Sequence, residues 1–392
     1  MRDVYLLSAA RTPIGKFGGG LSTTPATELG AIAIRAAVER AGIAPERVDE
    51  AIIGQVLQAG AGQAPARQAA LGAGLPRSTE ATTINKVCGS GMQAAMFAHD
   101  MLVAGSADLI VAGGMESMSN SPYLMMKHRA GARIGHDTVY DHMMLDGLED
   151  AYDRGRAMGT FAEDAAREYQ FTRAHQDDYA IESLRRATQA IQSGAFDRET
   201  TPVTVKSRKG DTVVEADEGP RSDTSLDALA KLNPAFQPDG GSVTAGNAPG
   251  ITDGAAAVVI AAEDALDGAT PMARITGYAQ ADVAPEWLFE APITGVRRLI
   301  EKVGGSVADF DLIEINEAFA AQVLADGNEL GFDWDRVNVN GGAIALGHPI
   351  GASGARVLTT LLHELRRRGG GKGLATLCLG GGGAVAMAIE TV

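Results

Sequence analysis

The sequence predicts an α/β protein made of two similar halves with a different segment inserted between them. Short apolar runs alternate with longer helical patterns in the first and last parts of the chain, and the runs follow the same order in both. The part from about residue 118 to residue 248 breaks this alternation. With 392 residues, 45% of them hydrophobic, the chain can bury a large core. We therefore expect three segments, 1–117, 118–248 and 249–392.

The first segment alternates strand and helix patterns. Glycines follow two of its helical runs, as is typical where a helix ends. The run after Cys88 is apolar nearly all round, which indicates a helix buried at the centre of the fold. Alternation of this kind favours a mostly parallel sheet. The predicted strands cover residues 4–9, 50–56, 82–87 and 109–112, and the predicted helices cover residues 26–41, 66–73 and 91–104.

The last segment repeats this order. Residues 48–54 resemble residues 310–316, and residues 108–114 resemble residues 373–380, as duplication of a βα unit would produce. A pseudo-twofold relation between the halves would bring Cys88 near Cys378. The predicted strands cover residues 273–278, 312–315 and 374–379, and the predicted helices cover residues 294–303, 317–330 and 351–367.

The inserted segment carries two predicted helices, 160–169 and 175–193, and we interpret it as a domain that covers a substrate. The spacing of its histidines fits no compact set of ligands, so no metal is expected there. Its basic residues are a candidate seat for a substrate phosphate, and a charged hairpin face is the alternative. These residues are Lys206, Arg208, Lys209 and Arg221.

Charge and composition limit the classes of function. A formal net charge of -15 argues against a general binder of nucleic acid or anionic membranes, because phosphate groups repel such a field. No run of about 18 or more apolar residues is present, so no membrane span is expected. The first residues lack the charged, apolar and cleavage regions of a secretory signal. We expect a protein of the reducing cytoplasm with free thiols.

The two cysteines of the chain, Cys88 and Cys378, each lie beside glycines. Glycine neighbours leave a sulfur approachable and leave backbone amides free to bind an oxyanion. Inert packing and a disulfide between the pair are the alternatives. The glycine setting favours thiol chemistry.

A histidine and an asparagine complete the candidate site. His348 lies in the glycine-rich stretch 340–354, where Pro349 fixes the turn before a predicted helix, and its imidazole can act as a base toward a thiol. Beside this imidazole and at a helix N-terminus, Cys88 is expected to favour the thiolate form. Asn316 follows a predicted strand, and its side chain either caps the next helix or holds a polar group or water at the site.

These motifs resemble those of the thiolases. The resemblance rests on Asn-Lys-Val-Cys88-Gly-Ser-Gly, on Asn316-Glu-Ala-Phe-Ala, on Gly-His348-Pro and on Cys378 before its glycine run, and it extends through essentially the whole chain. It implies a thiolase fold, in which two βα halves form a layered α-β-α-β-α core with an inserted loop domain that covers the substrate and makes oligomer contacts. It also implies a homotetramer, with a homodimer as the alternative.

The resemblance implies a reversible Claisen condensation of two acetyl-CoA molecules to acetoacetyl-CoA and CoA. Cys88, activated by His348, would carry the acyl group, and Cys378 would exchange the α-proton. His348 and a water held by Asn316 would stabilise the enolate oxygen, while the amides of Cys88 and Gly380 would receive the thioester oxyanion. Coenzyme A thioesters would be the substrates, with no metal or organic cofactor. A degradative 3-ketoacyl-CoA thiolase of broader chain length is the alternative.

The positions implied to contact coenzyme A match the family less closely. Ala157, Ala228 and Pro249 stand where biosynthetic members commonly have a histidine and two serines, and residues 287–292 replace a loop that contains Met-Gly. These departures leave the preferred acyl length open. The implied contacts to coenzyme A and its pantetheine arm are Leu148, Met158, Arg221 (adenine), Leu229, Phe236 (acyl group), Ala245, Pro249, Ala318 and Phe319.

Three other classes fit less well. Condensing enzymes that act on acyl carrier proteins pair an acylated cysteine with two histidines, or with histidine and asparagine, and lack a second catalytic cysteine such as Cys378. A nucleotide-binding protein would carry a Gly-x-x-x-x-Gly-Lys-Ser/Thr loop, which this sequence lacks. A noncatalytic scaffold that kept the motifs is the remaining alternative.

Overall fold

The computed structural model describes residues 2–392. Ten of its strands form one sheet, while β6 with β7 and β8 with β9 form two separate ribbons. The strands are β1 (Val4–Arg11), β2 (Gly15–Lys16), β3 (Glu50–Gly54), β4 (Glu80–Ile84), β5 (Leu109–Ser117), β6 (Tyr123–Leu124), β7 (Tyr140–Asp141), β8 (Val203–Val205), β9 (Thr212–Val214), β10 (Thr252–Ala262), β11 (Ala273–Asp282), β12 (Leu312–Ile315), β13 (Lys372–Leu379) and β14 (Gly383–Thr391).

Helices cover both faces of the sheet and run between its halves. Within residues 2–392 no helix is both long and apolar enough to cross a membrane. The helices are α1 (Ala26–Ala41), α2 (Pro65–Ala73), α3 (Ser90–Ala104), α4 (Met158–Glu168), α5 (Arg173–Gln192), α6 (Leu226–Leu229), α7 (Ala291–Val303), α8 (Ala320–Leu330), α9 (Ala343–Leu346) and α10 (Ile350–Arg367).

The strand order shows the internal repeat. From one edge to the other the sheet runs β4-β3-β5-β10-β1-β11-β14-β13-β12, with β2 beside β10. In the first half β3 pairs in parallel with β5, and β10 and β1 follow in antiparallel pairings. In the second half β12 pairs in parallel with β13, and β14 and β11 follow in the same way. The duplication predicted from the sequence is therefore visible in the topology.

The prediction of a mostly parallel sheet holds for strands within the first segment but not for the sheet as a whole. Within residues 2–392 the parallel strand pairings of the large sheet are β3 with β4, β3 with β5 and β12 with β13. The error comes from β10 and β14, two strands that the sequence pattern did not predict. Both are buried along nearly their whole length and rich in alanine, so they show no alternation, and their alanines have low strand propensity.

Hydrophobic clusters order the elements into five layers. Helices α1 and α2 pack residues such as Leu29 against the outer face of the first half-sheet. Helices α7 and α8 pack residues such as Val296 against the outer face of the second. Between the half-sheets lie α3 and α10, whose residues, among them Met96 and Leu358, contact both inner faces. The layer order is the predicted α-β-α-β-α.

The two central helices cross with backbone against backbone. A Cβ on Gly91 would lie 2.6 Å from the amide nitrogen of Ala355, and a Cβ on Gly354 would lie 2.5 Å from that of Met92. Both positions therefore need glycine, because any larger residue would drive the helices apart. Both glycines lie near the N-terminal ends of α3 and α10, so the crossing places these two ends side by side.

Two details differ from the sequence expectations. The helix predicted from residue 317 begins at Ala320, and its N-cap residue is Phe319, so Asn316 is not a helix cap. The central helix α3 is not buried all round, because Phe97 is 44% exposed. Both differences arise where neighbouring elements, rather than the local pattern, set the end and the burial of a helix.

The inserted segment lies between β5 and β10 in the chain and contributes no strand to the large sheet. Three of its basic residues, Lys206, Arg208 and Lys209, lie in the turn of the β8–β9 ribbon and are exposed, as the hairpin alternative describes. A buried ion network joins the segment to β1. In this network Arg11 donates to Glu199 at 2.6 Å and to Asp217 at 2.7 Å.

Candidate active site

Cys88 lies on a tight turn between β4 and α3. Val87, just before it, has a φ of 48°, in the left-handed region that β-branched residues rarely adopt. Hydrogen bonds hold the turn: the Val87 amide donates to Asn85 Oδ1 at 2.9 Å, and Ser90 Oγ accepts from the Lys86 amide at 2.8 Å. The strained turn holds the Cys88 sulfur ahead of the first turn of α3.

This turn packs against the end of the strand that carries Cys378. A Cβ on Gly89 would lie 2.7 Å from Leu379 Cδ2, so glycine allows the close approach. The backbone amides of Gly380 and of Cys88 itself lie near the Cys88 sulfur and act to lower the pKa of its thiol. The fold therefore brings the cysteine turns of the two halves together, with two backbone amides beside the first sulfur.

Burial sets the protonation state of Cys88. Removal from water raises the pKa of this thiol to about 12, although the two amides act in the opposite direction. This direction is opposite to the thiolate expected from the sequence, and it favours a neutral thiol in the free protein. The helix terminus and the imidazole do not reverse this effect, since the imidazole is itself uncharged.

His348 reaches the site from the start of α10. Burial, together with the nearby Arg356 guanidinium, lowers the pKa of His348 to about 3, so the imidazole is neutral. Its Nδ1 lies 2.6 Å from Ser353 Oγ, and that hydroxyl donates its proton to the Pro349 carbonyl at 3.0 Å. The Ser353 oxygen thus accepts from Nδ1–H. This assignment leaves Nε2 of His348 free to accept a proton.

Asn316 connects the end of β12 to this imidazole. Its Nδ2 lies 3.5 Å from both ring nitrogens of His348. Its Oδ1 is buried, and none of the described residues donates a hydrogen bond to it. A buried acceptor in polar surroundings is a place for a bound water.

Cys378 lies near the end of β13 in apolar surroundings and is 2% exposed. Burial raises the pKa of its thiol well above the usual value, and the charge of a Cys88 thiolate acts in the same direction. Aromatic rings cover it. The ring centroid of Phe319 lies 6.0 Å from that of Phe236 and 5.4 Å from that of Phe289, and all three rings share one cluster with Cys378.

Five of the implied coenzyme A positions lie beside the two thiols. Leu148 packs near Cys88, in a cluster that also contains Ile350. The other four belong to the cluster around Cys378. They are Met158, Phe236, Ala318 and Phe319.

The other implied positions lie further out. Leu229 is buried under the loop that carries Ala245, since a Cβ on Gly246 would lie 2.6 Å from it. Ala245 is exposed and Pro249 is half-buried. Arg221 is exposed and lines a cavity with side chains of α5, so the structure does not bring it to the thiols.

Glu317 links the segments that carry Asn316 and His348. The sequence pattern assigned it no role. This buried carboxylate follows Asn316 and accepts a hydrogen bond from the amide of Ile344, in the glycine loop that leads to His348. It therefore joins the loops of two site residues. The only signal in the sequence is its place beside Asn316 in the shared motif. Its donors are Tyr179 Oη (2.8 Å), Ser183 Oγ (2.8 Å), Ile344 N (2.9 Å) and Asn338 Nδ2 (3.0 Å).

The arrangement suits acyl transfer through sulfur. Cys88 is a nucleophile with two amides in place for an oxyanion, and a neutral imidazole can take its proton. Cys378 is a second thiol whose thiolate would be strongly basic in its apolar surroundings. The fold thus places the two thiols beside each other, with the imidazole just before the helix that crosses α3.

Known proteins share this fold and chain length. "Thiolase, N-terminal domain" matches residues 4–264, and "Thiolase, C-terminal domain" matches residues 269–391. The acetyl-CoA acetyltransferases of Cupriavidus necator and Escherichia coli (strain K12) are each 52% identical to the chain, across 100% of its length and 100% and 99% of theirs. The crystal structure of the Bacillus anthracis acetyl-CoA acetyltransferase matches with a TM-score of 0.97 at 45% identity, and the match covers 100% of this chain and 99% of that one. The chain belongs to the thiolase family.

Proposed function

We propose that the protein is an acetyl-CoA acetyltransferase, which condenses two molecules of acetyl-CoA to acetoacetyl-CoA and CoA and also runs the reverse thiolysis. The observation that supports this proposal is the contact between the turn of Cys88 and the strand of Cys378, two free thiols, where a Cβ on Gly89 would lie 2.7 Å from Leu379 Cδ2 and a charge on Cys88 raises the pKa of Cys378. Transfer of an acyl group to water or an alcohol needs one nucleophile. Formation of a carbon–carbon bond also needs a group that removes an α-proton, and the second thiol supplies it.

In the first half-reaction Cys88 attacks the thioester carbonyl of one acetyl-CoA. Its proton passes to Nε2 of His348, since both groups are neutral beforehand. The amides of Cys88 and Gly380 stabilise the oxyanion, and one such donor is typically worth about 10²–10³ in rate. The CoA thiolate leaves with the proton of Cys378. An acetyl group then remains on Cys88, and Cys378 is a thiolate.

In the second half-reaction the Cys378 thiolate removes an α-proton from a second acetyl-CoA. The protonated His348 and a water on Asn316 stabilise the enolate oxygen. The α-carbon attacks the acetyl group on Cys88, and the departing Cys88 sulfur recovers its proton from His348. Protons and charges balance through these residues alone, so we propose no metal or organic cofactor.

We propose the reducing cytoplasm as the place of action and fatty-acid metabolism as its context. Both thiols must stay reduced for the two half-reactions, and a reducing compartment keeps them so. A reaction that joins or splits acyl chains two carbons at a time belongs to the building or breakdown of such chains.

The aromatic wall beside Cys378 supports a short acyl group over the broader specificity of a degradative thiolase. Phe289, in the 3₁₀ helix Pro285–Glu290, is 4% exposed and packs against Phe319. The loop before it is fixed to the glycine turn after Cys378, because the Val283 amide donates to the Gly382 carbonyl at 2.8 Å. A wall held in this way leaves little room for an acyl chain beyond the reacting carbons.

We also propose that the enzyme is a homotetramer, with a homodimer as the alternative. The support lies in the segment around the β6–β7 ribbon, where large apolar side chains face solvent. Met126 is 62% exposed and Ile134 is 97% exposed. Clusters of exposed apolar residues mark surfaces that contact other proteins.

Replacing each cysteine separates the two half-reactions. Cys88→Ser should abolish the acetyl-enzyme that wild-type protein forms with acetyl-CoA, because the serine hydroxyl is a far weaker nucleophile. Cys378→Ser should still be acetylated but should lose exchange of the α-proton by about 10²–10⁴-fold. Mass spectrometry of the intact protein and deuterium exchange into acetyl-CoA measure these effects. Exchange that survives in Cys378→Ser would contradict its assigned role.

The protonation state of Cys88 predicts a pH dependence. Burial penalises the charged thiolate, so its pKa of about 12 predicts a neutral thiol at all lower pH values. Three units below the pKa, on the order of one molecule in a thousand carries the thiolate. The difference in thiolate ultraviolet absorbance between wild type and Cys88→Ser should therefore be negligible from about pH 6 to about pH 9. A difference in absorbance already present at pH 7 would contradict the prediction that the Cys88 thiol and the His348 imidazole are both neutral.

A smaller residue at position 289 should lengthen the accepted acyl group. Phe289→Leu should raise kcat/KM for thiolysis of 3-ketohexanoyl-CoA relative to acetoacetyl-CoA by about tenfold or more, since each methylene in an apolar pocket is worth roughly 10–200-fold. Phe310→Leu, which replaces a buried ring in the cluster behind the second half-sheet, is the control and should leave the ratio unchanged. An equal change in both variants would show general loosening of the core.

The oligomer is tested by one charge on the exposed segment. Wild-type protein should show the mass of four chains by light scattering, and Ile134→Asp should reduce it because a buried unpaired charge is disfavoured. Val213→Asp, at a 50% exposed apolar residue of β9, is the matched control and should keep the wild-type mass. A wild-type mass of one chain would refute the proposal.

A further inference from the structure

Glu116 is a fully buried carboxylate near the end of β5 that binds both halves of the fold. Its Oε2 accepts from the Val56 amide at 3.0 Å and from the Gly351 amide at 2.9 Å, and its Oε1 accepts from the Leu57 amide at 3.1 Å. Val56 and Leu57 follow β3 in the first half, whereas Gly351 lies in the first turn of α10 in the second. One side chain therefore fixes two segments that are distant in sequence.

Both segments border the reacting groups. Val56, Leu57 and Ile350 form the apolar cluster against which Cys88 packs. Gly351 follows His348 by three residues, and a Cβ there would lie 2.7 Å from Glu116 Oε2, so glycine permits the close contact. Movement of Gly351 would therefore carry the imidazole with it.

Burying the Glu116 carboxylate is energetically unfavourable. Burial raises the pKa of Glu116 to about 7, although the three amides oppose this rise. The titratable groups that face it are the Cys88 thiol and the Asp253 carboxyl, neither of which supplies positive charge. Burying a charge without a cation is unfavourable, and an apolar residue would avoid that penalty. An apolar residue, however, could not accept hydrogen bonds from the Val56, Leu57 and Gly351 amides, which belong to the two halves of the fold.

We propose that Glu116 is a positioning residue for acyl transfer. By joining the turn after β3 to the first turn of α10, it holds Nε2 of His348 where that nitrogen accepts the proton of Cys88. The inference rests on the proposed function only for the identity of the acyl donor. Protonation of Glu116 removes an acceptor oxygen and adds a donor, so it weakens the connection between the turn after β3 and the first turn of α10.

The test replaces one acceptor oxygen. In Glu116→Gln the rate of Cys88 acetylation by acetyl-CoA should fall by about 10²-fold, as expected for a misplaced reacting group, while the concentration of acetyl-CoA for half-maximal rate changes little. Asp49→Asn is the matched control. Asp49 Oδ2 accepts from the Asp108 and Leu109 amides at 2.8 Å and 3.0 Å, at the opposite end of the same strands, and its loss should leave the rate unchanged.

The pH profile distinguishes positioning from stability. In wild type and in Asp49→Asn the acetylation rate should fall as pH drops through about 7, because Glu116 gains a proton there. Glu116→Gln should lack this acidic limb, since it has no group to titrate. A limb retained in Glu116→Gln, or a rate equal to that of wild type, would overturn the inference. If Glu116→Gln does not fold, Glu116→Asp is measured instead and should react slowly yet keep the limb.

A second readout separates this inference from the proposed function. Alkylation of Cys88 by iodoacetamide needs the same proton transfer to His348 but no coenzyme A. It should fall in Glu116→Gln by a factor similar to that for acetylation. Loss of alkylation in a protein that acetyl-CoA never acetylates would support the positioning role and refute the acetyltransferase. Normal alkylation in Glu116→Gln would refute the positioning role alone.

Discussion

The contact between α3 and α10 is the constraint on which the site depends. Because Gly91 and Gly354 carry no side chains, the helices cross with backbone against backbone between the two half-sheets. Cys88 precedes one helix and His348 precedes the other. The repeated βα unit thus supplies two equivalent helix starts, and the crossing places them side by side. One half carries Cys88 at this place, and the other carries His348.

Desolvation determines the chemistry of this site. Cys378 and His348 are buried and Cys88 is half-buried, and burial disfavours the charged form of each group. The resting site is therefore neutral, and charge appears only when a proton moves during the reaction. Under the proposed mechanism, fixed amides at Cys88 and Gly380 then stabilise the charge without reorganisation, which is where such donors contribute most. Carboxylates such as Glu317 support the loops rather than the reacting atoms.

The sequence correctly predicted those helices and strands that have strong local patterns. It also singled out the candidate site residues that have unusual neighbours, such as glycines. The apolar helix after Cys88, the glycine loop at His348 and the second thiol all carried such signals, and the structure brings them together. It missed β10 and β14, whose alanine-rich runs carry no alternation, and so it predicted the wrong mixture of pairings. It also misjudged the charge of Cys88, because the extent of burial depends on residues from both halves. Roles such as that of Glu317 depend on four donors spread along the chain, which no local motif records.

The position of β10 in the chain has a consequence for how the protein is made. In the finished sheet this strand lies between β1 and β5, and the whole inserted segment precedes it in the chain. During synthesis the edges of β1 and β5 that face β10 therefore have no partner until residues 252–262 emerge from the ribosome. Pairings so distant in sequence form slowly and leave apolar edges open to aggregation meanwhile. The nascent N-terminal part therefore cannot complete its own half-sheet until about two-thirds of the polypeptide has been made.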